Sequence, residues 1–140
     1  MIETYRGVVY PHHIDHMGHM NVQYYTAMFD QATWHLFSTL GITLRYVNET
    51  HTGMAALEQT TKYKSELTAG ALVVIESGVI GIRSKTVRFF HRMLDPLTGA
   101  EAATCDMTAA HLDRKARKAI ALPAFVAEKA APLMIEAPAS

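Results

Sequence analysis

The chain lacks the features that would place it outside a reducing compartment or on a charged surface. Cys105 is its single cysteine, so no internal disulfide bond is possible. Thirteen lysine and arginine side chains balance thirteen aspartate and glutamate side chains, so no net charge attracts nucleic acid or an anionic membrane. No apolar run reaches the roughly 20 residues that a spanning helix needs, and no secretion leader opens the chain. We therefore expect a cytoplasmic protein that binds neither nucleic acid nor membrane.

The 140 residues have the length of one domain. We expect that domain to cover residues 1–130. The end of the chain, residues 131–140, is rich in alanine and proline and is expected to fray.

Hydrophobic periodicity predicts one long helix followed by strands. From Val22 to Leu40 apolar side chains recur every three or four residues and spread far round the helix, so we expect it to be covered on most sides. Asn21 is a good N-cap, and Gly41 suits the residue after the last turn. The other predicted elements are a strand at 3–9, a helical turn at 43–48, strands at 54–66, 71–83, 85–94 and 100–112, and a helix at 119–130 broken at Pro123.

This order indicates an α+β fold, in which a mostly antiparallel sheet of about five strands wraps around one long central helix. Such a sheet leaves an edge strand unpaired, which favours association with a second copy. We expect a homodimer at least.

Polar side chains concentrate immediately before the long helix. The segment from Tyr10 to Asn21 contains four histidines, Asp15 and a glycine turn. The N-terminus of a helix presents unpaired N–H groups and a partial positive charge, which suit a developing oxyanion. Asp15 and the turn from Gly18 to Asn21 are therefore the first candidates for a catalytic site. The histidine spacing does not match a known closed zinc site, so ordinary loop histidines are favoured over a metal site.

Several other charged residues admit two interpretations. Glu58 lies in a neutral strand and points either to solvent or into a cleft. Asp30 is interpreted as buried and hydrogen-bonded or as part of a subunit seam. Two basic groups could hold phosphates or merely be solvated: the first contains Arg83, Lys85, Arg88 and Arg92, and the second contains Arg114, Lys115, Arg117 and Lys118.

The motif Asp15-x-x-Gly18-His19-x-Asn21-x-x-Tyr24, leading directly into a long helix, resembles the signature of hotdog-fold acyl-CoA thioesterases of the 4-hydroxybenzoyl-CoA thioesterase group. This resemblance implies two subunits paired edge to edge, with active sites at the dimer interface and a dimer of dimers left open. It also implies that Asp15 is the catalytic carboxylate, as nucleophile or as general base. Gly18, His19 and Asn21 belong to the same catalytic motif, and no cofactor is required.

The expected reaction is hydrolysis of a short or compact acyl-CoA, with backbone N–H groups at the helix N-terminus receiving the oxyanion. Two alternatives stay open: a hotdog dehydratase or hydratase, and an acyl-CoA binding module without catalysis. Lys85 and Arg88 are the favoured phosphate ligands. Aromatic side chains near the site would also permit a cationic acyl group. The expected substrate-binding residues are Tyr24, Tyr25, Met28, Glu58, Gln59, Lys85 and Arg88.

Overall fold

The computed structural model describes residues 1–139, in which an antiparallel sheet packs against one long helix. The expected α+β order is confirmed. The elements, in chain order, are β1 (Ile2–Val8), a 3-10 turn (Pro11–His13), α1 (Val22–Thr39), α2 (Leu44–Thr50), β2 (Thr52–Tyr63), β3 (Leu72–Ile82), β4 (Thr86–Leu94), β5 (Glu101–Asp113), β6 (Lys118–Ala119), α3 (Ala124–Ala130) and a second 3-10 turn (Ala131–Leu133).

The main sheet has the strand order β1-β3-β4-β5-β2, and the short β6 pairs with β5. All of these pairings are antiparallel. Within residues 1–139, β2 pairs only with β5, so the long β2 is an edge strand. A register shift between Ala56 and Glu58 marks a bulge in β2, which interrupts the strict alternation predicted for residues 54–66.

Helix α1 begins and ends close to the predicted residues. The Asn21 side chain accepts a hydrogen bond from the Gln23 N–H at 3.1 Å and caps the helix. Gly41 follows the last turn with φ of +89°, a conformation that favours glycine. The expectation that α1 is covered on most sides is wrong for the single chain, because Trp34 on the face away from the core is 59% exposed.

The core lies between the buried face of α1 and the sheet. Phe29 and Leu36 from α1 pack in one cluster with Ile75, Phe89 and Met93 from the strands, and all five are fully buried. Deleting a buried aromatic ring of this kind costs about 3 to 5 kcal/mol, through lost transfer free energy and the cavity left behind. This packing therefore fixes α1, and with it the loop before it, on the sheet.

A chain of hydrogen bonds crosses the core at the fully buried His91. The Thr33 hydroxyl donates to the Phe29 carbonyl at 2.9 Å, so its oxygen is free to accept from His91 Nε2 at 2.8 Å. His91 Nδ1 then accepts from the Ser77 hydroxyl, whose oxygen accepts from the Thr4 hydroxyl at 2.7 Å. These bonds satisfy both nitrogens of a neutral imidazole. Burial lowers the pKa of His91 to about 3, so the ring is neutral at physiological pH.

The C-terminal segment differs from its prediction. Pro123 precedes α3 as its N-cap and does not break a longer helix, while Lys118 and Ala119 form β6. The tail predicted to fray is held on β3 as far as residue 135, because the Ile135 N–H donates to the Val79 carbonyl at 2.9 Å. Ser140 lies outside the described residues.

None of the helices within residues 1–139 is both long and apolar enough to cross a membrane.

Candidate active site

The loop between β1 and α1 folds into a tight turn around Asp15. The Asp15 carbonyl accepts from the Gly18 N–H at 3.0 Å, and the Asp15 N–H donates to the His19 carbonyl at 3.2 Å. Gly18 has φ of +85°, which explains the glycine at this position. The turn is attached to the rest of the fold by the Met20 N–H, which donates to the Leu67 carbonyl at 2.7 Å.

The Asp15 carboxylate is held by two donors. Its Oδ1 accepts from the Met17 N–H and its Oδ2 accepts from the Asn21 side-chain amide, both at 2.8 Å. The Asn21 amide bond, followed by the Met17 backbone bond, lowers the pKa of Asp15 below its ordinary value. Because the other end of the Asn21 amide accepts from Gln23, its orientation is fixed. The site therefore presents an ionised, oriented carboxylate at neutral pH.

The Asn21 side chain links this carboxylate to the first turn of α1, because it donates to Asp15 and accepts from the Gln23 N–H. The Val22 N–H, at the first helical position, has no hydrogen-bond acceptor among the residues that the structure describes. It adds to the partial positive charge at the N-terminus of an 18-residue helix. This group can donate to an oxyanion that develops next to Asp15.

A cleft of about 240 Å³ opens beside the loop, between the start of α1 and the Tyr63 end of β2. The Tyr25 ring forms one wall and meets the Tyr63 ring edge to face, with centroids 5.1 Å apart. His19 Nε2 lies 3.7 Å from the Glu66 carboxylate across the cleft. The lining residues are His19, Met20, Val22, Tyr25, Tyr63, Lys64, Ser65 and Glu66.

A second cavity, of about 300 Å³, lies between the later turns of α1 and the Thr52 end of β2. Its walls are largely apolar and include the Trp34 ring, and Asp30 and Arg114 supply the charged side chains. A helix rises about 1.5 Å per residue, which places Trp34 about 18 Å beyond Val22. Within one chain this second cavity is therefore remote from Asp15.

The four predicted catalytic residues, Asp15, Gly18, His19 and Asn21, lie together in this loop. Tyr25 lines the adjacent cleft. Gln59 lies further along β2, opposite Met107, whose side chain lines the second cavity.

Three of the other predicted substrate-binding residues are placed away from the cleft. Met28 is 3% exposed and packs in the core, because it belongs to the apolar face of α1. Arg88 forms an ion pair with Asp106 at 2.6 Å, and Glu58 lies beside that pair. Arg88 alternates with the buried Val87 and Phe89, so this group is on the sheet face opposite α1.

The last two predicted substrate-binding residues also lie outside the cleft. The Tyr24 ring packs on His13, with centroids 4.7 Å apart, and supports the loop. Lys85 is in the connection between β3 and β4, whereas the Asp15 loop contacts the residues just before β3. The 11 residues of β3 therefore separate Lys85 from Asp15 within one chain.

Sequence reasoning missed the second cavity. The expectation that Asp30 is buried and hydrogen-bonded is wrong for the single chain, in which Asp30 and Trp34 are both exposed and line this cavity. Their spacing of four residues places them on one face of α1, and a tryptophan on the same face as an aspartate is a signal that this face is exposed. Among residues 1–139, no group of three or more His, Cys, Asp or Glu side chains is placed to hold a metal ion.

Comparison with known proteins gives a family for this architecture. Residues 9–130 match the family model of the thioesterase-like superfamily. The chain is 27% identical over 120 residues to the L-carnitine dehydrogenase/betainyl-CoA thioesterase of Rhizobium meliloti (strain 1021). This match covers 86% of this chain and 24% of that protein. The chain is 23% identical over 112 residues to the betainyl-CoA thioesterase of Pseudomonas aeruginosa, and this match covers 80% of this chain and 70% of that protein. The chain thus spans about a quarter of the length of the Rhizobium relative.

Solved structures agree on the fold. A hypothetical protein from Staphylococcus aureus, solved in complex with CoA, superposes with a TM-score of 0.87. The two chains are 20% identical, and the match covers 100% of this chain and 92% of that one.

Proposed function

Since the chain belongs to the thioesterase-like superfamily, we propose that it hydrolyses a compact acyl-CoA to the free acid and CoA. The family and the hotdog fold expected from the Asp15 motif are confirmed. The catalytic residues, the substrate and the oligomeric state are parts of the proposal.

The observation that carries the proposal is the placement of the Asp15 carboxylate beside a free helix N–H. Asp15 is held by Met17 and Asn21, and the Val22 N–H is unpaired among residues 1–139. Thioester hydrolysis needs a base or nucleophile on the carbonyl carbon and a donor on the carbonyl oxygen. The loop supplies both groups, and it requires no metal or organic cofactor.

Two routes share this geometry. As a general base, Asp15 takes a proton from water, the resulting hydroxide adds to the thioester carbon, and the oxyanion accepts from the Val22 N–H before the CoA thiolate leaves. As a nucleophile, Asp15 adds directly, expels the thiolate and forms an anhydride that water then cleaves. Single-turnover hydrolysis in ¹⁸O-labelled water distinguishes them, because only the nucleophilic route with water attack on the Asp15 carbon puts label into the protein. Label found in the acid alone supports the general-base route or water attack on the acyl carbon, and trapping of the anhydride by hydroxylamine separates these two.

We also propose that the edge strand β2 pairs with β2 of a second copy. Its outer edge spans 12 residues, and residues 56–60 are exposed. A two-fold axis at the middle of an antiparallel pair places the Tyr63 end of one strand beside the Thr52 end of the other. The cleft lined by His19 and Tyr25 in each subunit then lies next to the second cavity of the partner subunit. A monomer in sedimentation experiments at assay concentration would contradict this arrangement, and a tetramer would indicate a dimer of dimers.

The phosphates of CoA are proposed to bind Lys115, Arg117 and Lys118, the exposed members of the second basic group that do not line the second cavity. Arg88 already pairs with Asp106, on the sheet face opposite α1. The second basic group follows β5 and lies at the Thr52 end of β2, because Asp113 pairs with Thr52. In the proposed dimer it therefore lies near the Asp15 loop of the partner subunit.

Substitution of Asp15 tests the catalytic role. Asp15→Asn removes the base and nucleophile while retaining the shape, and we expect kcat/KM for acyl-CoA to fall by about 10² to 10⁴. Asp95→Asn is the matched control, because the Asp95 carboxylate accepts from the Leu97 N–H at 2.8 Å in the same i to i+2 geometry, in the turn between β4 and β5.

Thiol release from CoA esters is the readout, with sedimentation and circular dichroism to verify the folded assembly. Full activity of Asp15→Asn would move the chemistry elsewhere. Loss of enoyl-CoA absorbance without free thiol would instead indicate a hydratase. Binding of acyl-CoA without turnover in the wild type would indicate a binding module.

A further inference from the structure

We propose that the second cavity binds the acyl group and that Asp30 and Trp34 select an acyl group carrying a permanent positive charge. The inference rests on the proposed thioesterase function and names its substrate class. In the proposed dimer, Asp30 and Trp34 of one subunit select the acyl group, and the Asp15 loop of the other subunit carries out its hydrolysis.

Asp30 and Trp34 are on the same face of α1 and both line this cavity. Both are exposed, with Trp34 at 59%. Among residues 1–139, the Asp30 carboxylate has no basic group within 4.0 Å and makes no side-chain hydrogen bond. The Thr33 hydroxyl between them is committed to Phe29 and His91, so it offers no competing donor. The remaining walls are mostly apolar, with Phe37, Ile42, Val47, Met54, Phe89 and Met107 among them.

This combination favours a cation. An indole face attracts a quaternary ammonium within about 6 Å of the ring centroid. A carboxylate in a cavity closed by a ligand loses water, so a neutral ligand leaves its charge uncompensated and an anionic ligand adds repulsion. Arg114 also lines the cavity, but its guanidinium Nη2 donates to the Val47 carbonyl at 2.9 Å. The positive charge of Arg114 is thus directed to α2, and the Asp30 and Trp34 side of the cavity is left for the ligand.

The proposed dimer brings this cavity to the catalytic loop. Asp30 lies about 12 Å and Trp34 about 18 Å beyond Val22 along their own helix, too far for a compact acyl group bound at Asp15 of the same chain. Antiparallel pairing of β2 instead places the cavity beside Asp15 of the partner subunit. The thioester carbonyl then lies at the junction, with the acyl group in one subunit and Asp15 in the other.

Two substrates of equal shape isolate the charge. Betainyl-CoA and tert-butylacetyl-CoA differ at one atom, a quaternary nitrogen against a quaternary carbon. We expect wild-type kcat/KM to be at least tenfold higher for betainyl-CoA. In Asp30→Asn and in Trp34→Leu this ratio should fall at least fivefold, and Trp34→Phe should recover part of it because an aromatic face is restored.

The control variant Glu128→Gln removes one exposed negative charge from α3, outside this cavity, and should keep the wild-type ratio. A wild-type ratio near one, or a ratio unaltered by Asp30→Asn, overturns the proposed selectivity. Absence of thiol release from all compact acyl-CoA esters, these two included, overturns the proposed function itself, so the two failures are distinct. Sedimentation of each variant separates loss of selectivity from loss of the dimer.

Mixed dimers test the sharing of the site between subunits. Asp15→Asn and Asp30→Asn chains, co-expressed with different tags and purified as heterodimers, contain one site with both wild-type carboxylates if the site is shared. We then expect the heterodimer to show the wild-type substrate ratio with about half the activity. If each site lies within one chain, the only active subunit carries Asp30→Asn and the ratio stays at the low value of that variant, which overturns the shared site.

Discussion

Acidification is expected to destabilise the fold through His91. Burial lowers the pKa of this ring from 6.5 to about 3. Between these values the unfolded chain binds a proton that the folded chain does not bind, so the free energy of unfolding falls as the pH falls. Each pH unit within this interval changes the free energy of unfolding by about 1.4 kcal/mol. From pH 7 the expected loss due to His91 is about 2 kcal/mol at pH 5 and about 4 kcal/mol at pH 3.

Urea denaturation at a series of pH values measures this loss. His91→Asn retains a donor and an acceptor but does not titrate. On acidification from pH 7, the free energy of unfolding of the wild type should therefore fall further than that of the variant, by the amounts given above. His35→Asn is the matched control, because His35 is an exposed histidine on α1. It should leave the pH dependence at the wild-type slope. Subtraction of the curves cancels the contributions of the other titrating groups.

Parallel curves for wild type and His91→Asn would refute the reasoning. If His91→Asn does not fold, the ring nitrogen shifts of His91 in the wild-type protein give the answer by NMR. They should report a neutral imidazole, protonated at Nε2, down to about pH 4. Titration of this ring near 6.5 would contradict its burial as a neutral group.

Two further predictions concern catalysis and CoA binding. Asn21→Ser keeps a helix cap for the Gln23 N–H but loses the amide that is the main cause of the lowered pKa of Asp15. The pKa of Asp15 should therefore rise, and the acid limb of the pH profile of kcat/KM should move to higher pH. An unmoved limb would contradict this role of Asn21. Removal of charge in Lys115→Ala/Lys118→Ala should raise KM for acyl-CoA more than for a short pantetheine thioester and leave kcat nearly unaltered. Equal increases in KM for the two thioesters would contradict the assignment of this cluster to the CoA phosphates.

The local signals in the sequence predict the elements well where they are strong. The period of apolar residues, the Asn21 cap and Gly41 locate α1 to within one residue, because these are interactions between near neighbours in the chain. The same locality explains the turn at Asp15. Its glycine with positive φ and its i to i+2 hydrogen bond are encoded in four consecutive residues.

The boundaries of helices and the packing of terminal segments are predicted less well where contacts with distant parts of the chain decide them. The sequence predicts a break at Pro123, whereas this residue is the N-cap of α3, since a proline suits either position by local rules alone. The tail holds to β3 because Ile135 packs at Gly78, where an added Cβ would lie 2.9 Å from the isoleucine side chain. Nothing near residue 135 in the sequence encodes that contact.

The local sequence is enough to bring the proposed catalytic residues together, since Asp15, Gly18, His19 and Asn21 lie within seven residues and a short loop keeps them close. The surroundings of these residues depend instead on how distant segments pack together. Strand order places the connection that holds Lys85 at the opposite end of β3, and the alternation of β4 turns Arg88 away from α1. Packing against the sheet also decides which face of α1 remains exposed, and thereby leaves Asp30 and Trp34 in a cavity instead of the core. These placements depend on pairings between segments far apart in the chain, which local patterns do not encode.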